Sequence, residues 1–460
     1  MRDFIEQYWE KVALPALMEF GRIPNVSPAY APNWETDGHM ERAAQFLKPG
    51  VEGRPIKGLT IEIVRIFGKT PTIFIQVPGR TDASILMYGH MDKQPGMDGW
   101  RTGLGPWTPV REGDNLYGRG LADDGYAIFA ALGAVEIAQQ SGGTLPTVSI
   151  LIEGSEESGS FDLPAYLDLL KDKIGTPDVA ITLDCDGRDE KHLTLTESLR
   201  GLVNGMLTIE TLDNAMHSGM GTGVVPSAMR IMRMLLDRIE DPATGQITNT
   251  TINPPMPAHM CTVCDKMSAG CAQDFIASYE LPQGLKAMAP NDEEAVKQNL
   301  WSAGMEVVGI TGLPAVEVAG NVMHPKIVAK LSFRIPPLVD CRSAAEELKR
   351  VFESDPPYGA RVTFVPTEFD NGWCAQPLSD KTEKVLTKTA HDVYGTTPLT
   401  IGIGASIPFI GMIASRFPKA DNIVTGVLTP TTHEHGPNEH LPISATKRLT
   451  EWLARFIAEY

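Results

Sequence analysis

Apolar positions along the chain change their period several times, and each change marks an element. Residues 1–20 carry apolar side chains at helical spacing, and 38–47 repeat the pattern after a loop rich in proline, glycine and asparagine. Short β-rich runs follow at 59–65, 72–77 and 84–88, and then a turn-rich stretch, 92–115, holding glycine, proline and tryptophan. The pattern next predicts an apolar helix over 126–139, a buried strand over 148–152, a helix over 163–170 and a strand over 178–183. Strands that alternate with helices predict a largely parallel sheet covered on both faces.

The texture changes after Arg200-Gly201. The runs 202–211 and 329–335 alternate polar and apolar residues, as strands with one buried face do. Helices are predicted over 226–239, with Pro226 in the first turn where its missing N–H costs nothing, and over 344–353. A further strand is predicted over 360–365. The earlier pattern returns with a helix at 381–394, a strand at 422–428 and a last helix at 444–459. The fold class expected is α/β: a domain made of 1–201 and 379–460 with a mixed, mostly parallel sheet covered by helices, and an α+β domain inserted over 202–378.

Length agrees, since 460 residues exceed what one core holds. A formal charge of −17 argues against a nucleic acid or an anionic membrane as partner, because either polyanion is repelled at long range. Apolar runs stay short of the roughly 20 residues that span a bilayer. The first ten residues carry acids at amphipathic spacing and read as helix instead of a signal peptide. Six cysteines in so long a chain make no disulfide framework, and a reducing cytoplasm is the expected compartment.

The candidate chemistry lies at the predicted strand ends. The run 84–88 leads into His90 and Asp92; 116–120 leads into Asp123-Asp124; 148–152 leads into Glu156-Glu157; 179–183 leads into Asp184; and 422–428 leads into His433 and His435. In an open α/β sheet, ligands gather outside the carboxyl ends of the strands, so these groups converge on one crest. Two imidazoles and at least three carboxylates make a site for hard-to-borderline divalent cations. Asp123, Glu157 and Asp184 bring three negative charges, and two divalent ions with a bridging hydroxide bring that cluster near neutrality. Glu156, beside a ligating glutamate, is placed to take the proton of an activated water.

Six motifs in order, Gly89-His-Met-Asp92, Leu116-Tyr-Gly-Arg-Gly-Leu-Ala-Asp-Asp-Gly125, Glu153-Gly-Ser-Glu-Glu-Ser-Gly159, Leu199-Arg-Gly201, His217-Ser-Gly219 and His435-Gly-Pro-Asn-Glu439, resemble the M20 family of metallopeptidases, most closely its carnosinase-like dipeptidase branch. The resemblance covers nearly the full chain. It implies that the inserted domain is a lid and dimerisation domain, and that the chain is a homodimer holding two divalent ions, zinc or alternatively manganese. It implies His90 and Asp184 on one ion, Glu157 and His435 on the other, and Asp123 bridging them ahead of a cis peptide bond. Asp184 is preferred to Asp186 by its distance from Leu199-Arg-Gly201, and His435 to His433 by the Asn-Glu pair that follows it. Asp92 would fix the His90 tautomer, Glu156 would be the general base, and His217 of the opposite subunit would stabilise the oxyanion. Arg334 would bind a substrate carboxylate, and Ser406 lies where a substrate-contacting loop is expected. One departure is plain: the family usually continues the two aspartates with Lys-Gly, whereas Gly125 follows Asp124 directly. That difference bears on substrate preference and leaves the metal bridge intact.

A separate group, His259, Cys261, Cys264 and Cys271, has a Cys-x-x-Cys spacing that suits a structural zinc, but lacks the second cysteine pair of a usual finger. Packing as small apolar side chains is the expected state. Three functions remain: a two-metal peptidase of short carboxylate-bearing substrates (dipeptidase or exopeptidase); an amidohydrolase of N-acyl or N-carbamoyl amino acids using the same ions; and an inactive family member that only binds. Glu156, the group inactive members lose, is present.

Overall fold

A computed structural model of the chain describes residues 1–142, 144–271, 275–279 and 281–460, and the side chains of all these except 259 and 269–271. Two compact units emerge: Met1–Thr196 with Ala375–Ile401 and Pro408–Tyr460, and Glu197–Cys374 with Gly402–Ile407.

The first unit is built on a six-stranded sheet in the order Thr60–Val64, Thr72–Val77, Thr147–Glu153, Ser84–His90, Val179–Thr182, Asp421–Val424. The last four run parallel to one another, and Thr72–Val77 is antiparallel to both of its neighbours. The inner strands read as unbroken apolar runs because both their faces are covered. Tyr88 stacks on Phe409 with ring centres 4.2 Å apart, while a Cβ on its neighbour Gly89 would meet Ala127 Cβ at 2.7 Å. Successive strand residues point to opposite faces, so the helices Pro408–Arg416 and Tyr126–Gln140 lie on opposite sides of the sheet.

The amphipathic start forms the helices Arg2–Tyr8 and Leu14–Gly21, joined through one π-helical stretch, Trp9–Ala13. It packs on the last helix, Ile443–Glu459, where Trp9 donates its indole N–H to Thr450 Oγ1 at 3.0 Å. Trp9 and Trp452 are fully buried, each contributing about 1.5–3 kcal/mol or more by leaving water.

Several elements depart from expectation. The helix expected to stop at residue 47 runs as His39–Glu52 and carries Pro49 near its end. The turn-rich stretch includes a short strand, Val110–Glu112, paired with Asn115–Tyr117. The strand expected over 422–428 stops at Val424, and a Cβ on Gly426 would lie 2.1 Å from the Cys185 carbonyl, so the chain must turn there on a bare backbone.

In the second unit the strands Gly304–Thr311, Lys326–Ile335, Gly201–Glu210 and Arg361–Asp370 form an antiparallel sheet in that order. Along Lys326–Ile335, Ile327, Ala329, Leu331, Phe333 and Ile335 are buried, one face of a period-two strand. Against them pack Ile231 and Leu235 of the helix Ala228–Leu236, and Ala344, Leu348 and Phe352 of Cys341–Glu353. The first of these helices starts later than expected. Ser227 caps it by accepting from the Arg230 N–H at 3.3 Å, and Pro226 stands before the cap. Gly304–Thr311 was not foreseen, because exposed Val308 and Ile310 break the alternation.

The helix Ala258–Cys271 carries Cys264 buried and Cys261 exposed; neither is in a disulfide among the described residues, nor are Cys185, Cys341 and Cys374. The side chains of His259 and Cys271 lie outside the described residues. No helix among the described residues is long and apolar enough to cross a membrane.

Candidate active site

Parallel neighbours put the carboxyl ends of Ser84–His90, Thr147–Glu153 and Val179–Thr182 side by side, with His90 in register with Glu153. His90 ends its strand buried. Its Nδ1 lies 3.0 Å from the main-chain carbonyl of Asp92, nearer than the Asp92 carboxylate at 3.5 Å. A carbonyl only accepts, so Nδ1 carries the hydrogen, and Nε2 is the nitrogen turned to the carboxylates. That Nε2 lies 3.0 Å from Asp123 Oδ1 and 3.5 Å from Asp184 Oδ2.

Asp123 sits in the turn that enters the helix Tyr126–Gln140. Its φ and ψ, −121° and 91°, are non-helical, and its peptide bond to Asp124 is cis. Asp124 accepts the His90 N–H at 3.1 Å. A Cβ on Gly89 would stand 2.6 Å from the Asp124 carboxylate, so only glycine allows this approach. The other Asp123 oxygen, Oδ2, is 3.0 Å from His435 Nε2, which is also 3.2 Å from Glu157 Oε2. One carboxylate thus divides its two oxygens between two imidazoles, each with its own second acid. The donor atoms of His90, Asp123 and Asp184, and those of Asp123, Glu157 and His435, lie within 4.8 Å of one another in each trio.

The tip 156–158 is a single 3-10 turn. Asp92 holds it by accepting the N–H groups of Glu156 and Glu157 on separate oxygens, each at 3.0 Å. Gln94, which sequence reasoning missed, donates to Glu157 Oε2 at 2.6 Å. The missed signal was a buried amide two residues past Asp92, inside a stretch taken for loop. The other Glu157 oxygen is buried with no partner among the described residues.

The electrostatics of the cluster call for positive charge. Burial, then the Asp123 charge, push the Glu157 carboxyl up to about 7. Burial and the Asp184 charge hold Glu156 well above the carboxylate range, and burial raises Asp184. Burial alone would lower both imidazoles; the Asp184 charge reverses it at His90, and hydrogen bonds to Asp123 and Glu157 reverse it at His435, taking it to about 12. Glu156, Glu157, Asp184 and both imidazoles reach for protons in this dry space, while at Asp123 burial is outweighed by the two imidazoles, which together hold it below the usual carboxylate range. Neutral nitrogen and carboxylate oxygen donors, a shared aspartate and an orphaned glutamate oxygen fit two divalent cations better than they fit protons.

Asp186 makes a strand bridge with Leu428, and neither it nor His433 belongs to the two trios. His433 faces His440, their rings 6.1 Å apart. Three expected residues belong to the second unit. His217 is exposed and ends the strand Met216–His217. Its Nδ1 accepts the Gly219 N–H at 3.1 Å, leaving Nε2 as the N–H donor. Arg334 is half-buried on its strand, opposite Gly304 and Leu202, and forms no ion pair among the described residues. Ser406 follows the strand Leu399–Ile403 in a short loop.

A mostly parallel α/β sheet with imidazoles and carboxylates gathered at its strand ends defines a metal-dependent hydrolase. The chain matches peptidase family M20/M25/M40 over residues 86–459 and belongs to it. It is 25% identical over 389 residues to a cysteinylglycine-S-conjugate dipeptidase of Corynebacterium striatum, covering 84% of this chain and 83% of that one. Identity to the human Beta-Ala-His dipeptidase is 24% over 382 residues, covering 78% and 71% of the two chains. The fold matches that of the di-peptidase Dug1p from Saccharomyces cerevisiae with a TM-score of 0.77 at 20% identity, over 100% and 97% of the two chains. These relatives are dipeptidases, as the motif resemblance implied.

Proposed function

We propose that the protein is a two-metal dipeptidase acting on short peptides with a free carboxylate. The observation that carries this reading is the division of Asp123, its two oxygens each 3.0 Å from a different imidazole. His90, Asp123 and Asp184 hold one divalent cation, and Asp123, Glu157 and His435 hold the other, zinc or manganese. Bound there, the cations supply Lewis-acid polarisation of the scissile carbonyl and acidify a water.

The residues do the rest. Asp92 keeps Nδ1 of His90 protonated through its carbonyl, and through its carboxylate it holds the Glu156-Glu157 turn in place. Glu156 takes the water proton on a carboxylate oxygen and returns it to the leaving amine nitrogen. His217, from a second copy of the chain, donates its Nε2 hydrogen to the oxyanion, which makes the working enzyme a homodimer. Arg334 takes the substrate carboxylate, and Ser406 contacts the substrate from its loop.

The test is hydrolysis of a panel of dipeptides, tripeptides, and N-acetyl and N-carbamoyl amino acids, with zinc or manganese and with chelator. Chelator-sensitive cleavage of dipeptides is the expected outcome. Cleavage confined to the N-acyl or N-carbamoyl compounds would replace the peptidase by an amidohydrolase with the same cations.

A further inference from the structure

Glu439 is buried just before the strand His440–Pro442, and its carboxylate is fully engaged. Oε1 accepts four successive main-chain N–H groups: Gly120 at 2.9 Å, Leu121 at 3.2 Å, and Ala122 and Asp123 at 3.4 Å each. Oε2 accepts from Arg119 Nη1 at 2.5 Å. Arg119, also buried, donates from Nη2 to the Gly436 carbonyl at 2.9 Å and from Nε to the Pro95 carbonyl at 3.1 Å. One ion pair therefore grips the backbone that presents Asp123, the residue after His435, and the loop that begins at His90.

The turn needs that grip. Gly120 stands at φ +72° and Asp123 outside helical geometry, so the four N–H groups converge inward on one point. Without an acceptor they would be buried donors with no partner, which is costly. A carboxylate gathered by successive amides is a fixed anion. Both oxygens of Glu439 are engaged by the chain, and it belongs to neither trio of candidate ligands, so it acts through its neighbours.

Resting on the two-cation reading above, we propose that Glu439, locked by Arg119, is the positioning residue of the metal centre: it sets the turn that aims the two oxygens of Asp123 at two different partners and holds the His435 loop against it. The rival reading is that the ion pair only holds the fold.

The experiment titrates metal-free wild type, Glu439→Gln and Arg119→Lys with Zn2+ or Mn2+ by calorimetry, alongside circular dichroism, thermal midpoints of the metal-free forms, and kcat and KM on a dipeptide. Wild type is expected to take two ions. Glu439→Gln keeps the shape and removes the charge; it is expected to fold, to bind the ions about 10–100-fold more weakly, and to lose kcat at saturating metal with KM within about twofold. Arg119→Lys keeps the charge but loses the fork that reaches Glu439 and Gly436 together, and is expected to lose affinity in the same direction. A lower thermal midpoint with unchanged affinity for both ions would make the pair structural and overturn the proposal. If Glu439→Gln does not fold, unchanged affinity in folded Arg119→Lys overturns it equally. Wild type that binds fewer than two ions would sink the two-cation reading and this proposal with it, whereas two ions bound with wild-type affinity in both variants would sink the proposal alone.

Discussion

Two acidic clusters in the first unit use the same residue types and reach opposite electrostatic states. Around the N-terminal helix, Glu10 accepts from Arg111 at 2.7 and 3.1 Å and from Lys447 at 2.8 Å, and Lys447 also reaches Glu6 at 2.8 Å. Hydrogen bonds from Arg111 and then Lys447 pull the Glu10 carboxyl down to about 2. At the strand ends, burial pushes Glu157 up to about 7, and its neighbouring charged partner is an imidazole shared with Asp123. Acids that meet lysine and arginine have their charge settled by the chain. Acids gathered without either leave a net demand for cations, and that demand marks the site.

The comparison breaks most sharply at the proton carrier. Glu156→Gln removes a base but no proposed ligand, so turnover should fall about 10³-fold, roughly 4 kcal/mol in the barrier. Metal content measured by atomic emission should stay at the wild-type value, and loss of metal would make Glu156 a ligand instead.

Removing the cations tests the demand itself. Chelation should abolish dipeptide hydrolysis and destabilise the fold by about 2.7 kcal/mol for each of the two ions, relative to protein in ions at a hundred times their Kd. Chemical denaturation with and without chelator reads this, and an unchanged curve would mean the acids are satisfied without ions.

A smaller effect is expected one contact further out. Gln94→Ala frees Glu157 Oε2 from its amide and should weaken metal binding about 10–100-fold, leaving Glu10 and its partners untouched. Equal calorimetric affinities would show that Glu157 is held by its turn alone.

The smallest effect belongs to the paired cluster. Glu10 is depressed from 4.5 to about 2, so its contribution is full above pH 4.5 and is lost as pH falls toward 2. It is partly exposed and screened, so Glu10→Gln should cost no more than about 1 kcal/mol near neutrality. The gap between urea curves of wild type and variant should close as the pH drops from 6 to 3. A gap that widened instead would reverse the sign of this pairing.

Much of the fold and site was legible along the chain because it is local. Period-two runs located the strand Lys326–Ile335, and apolar runs bounded by glycine located Thr72–Val77 and Thr147–Glu153. The polar groups at those ends, His90, Asp123, Glu157, Asp184 and His435, could be collected by one rule about where ligands gather on a parallel sheet. Gly304–Thr311 was hidden because Val308 and Ile310 are exposed and break its alternation, and Gln94 because nothing in a loop's composition shows which amide is buried.

By itself, then, the sequence determined which chemical groups stand at the strand ends, because strand periodicity and loop composition act over a few residues. Only the tertiary structure decided how those groups share one another. That Asp123 gives one oxygen to His90 and one to His435, and that Glu439 lies against a turn 317 residues away, depends on contacts that no local pattern encodes. Distances of a few tenths of an ångström between distant segments are set by packing of the whole unit, and these decide whether a row of acids is a solvated edge or a metal centre.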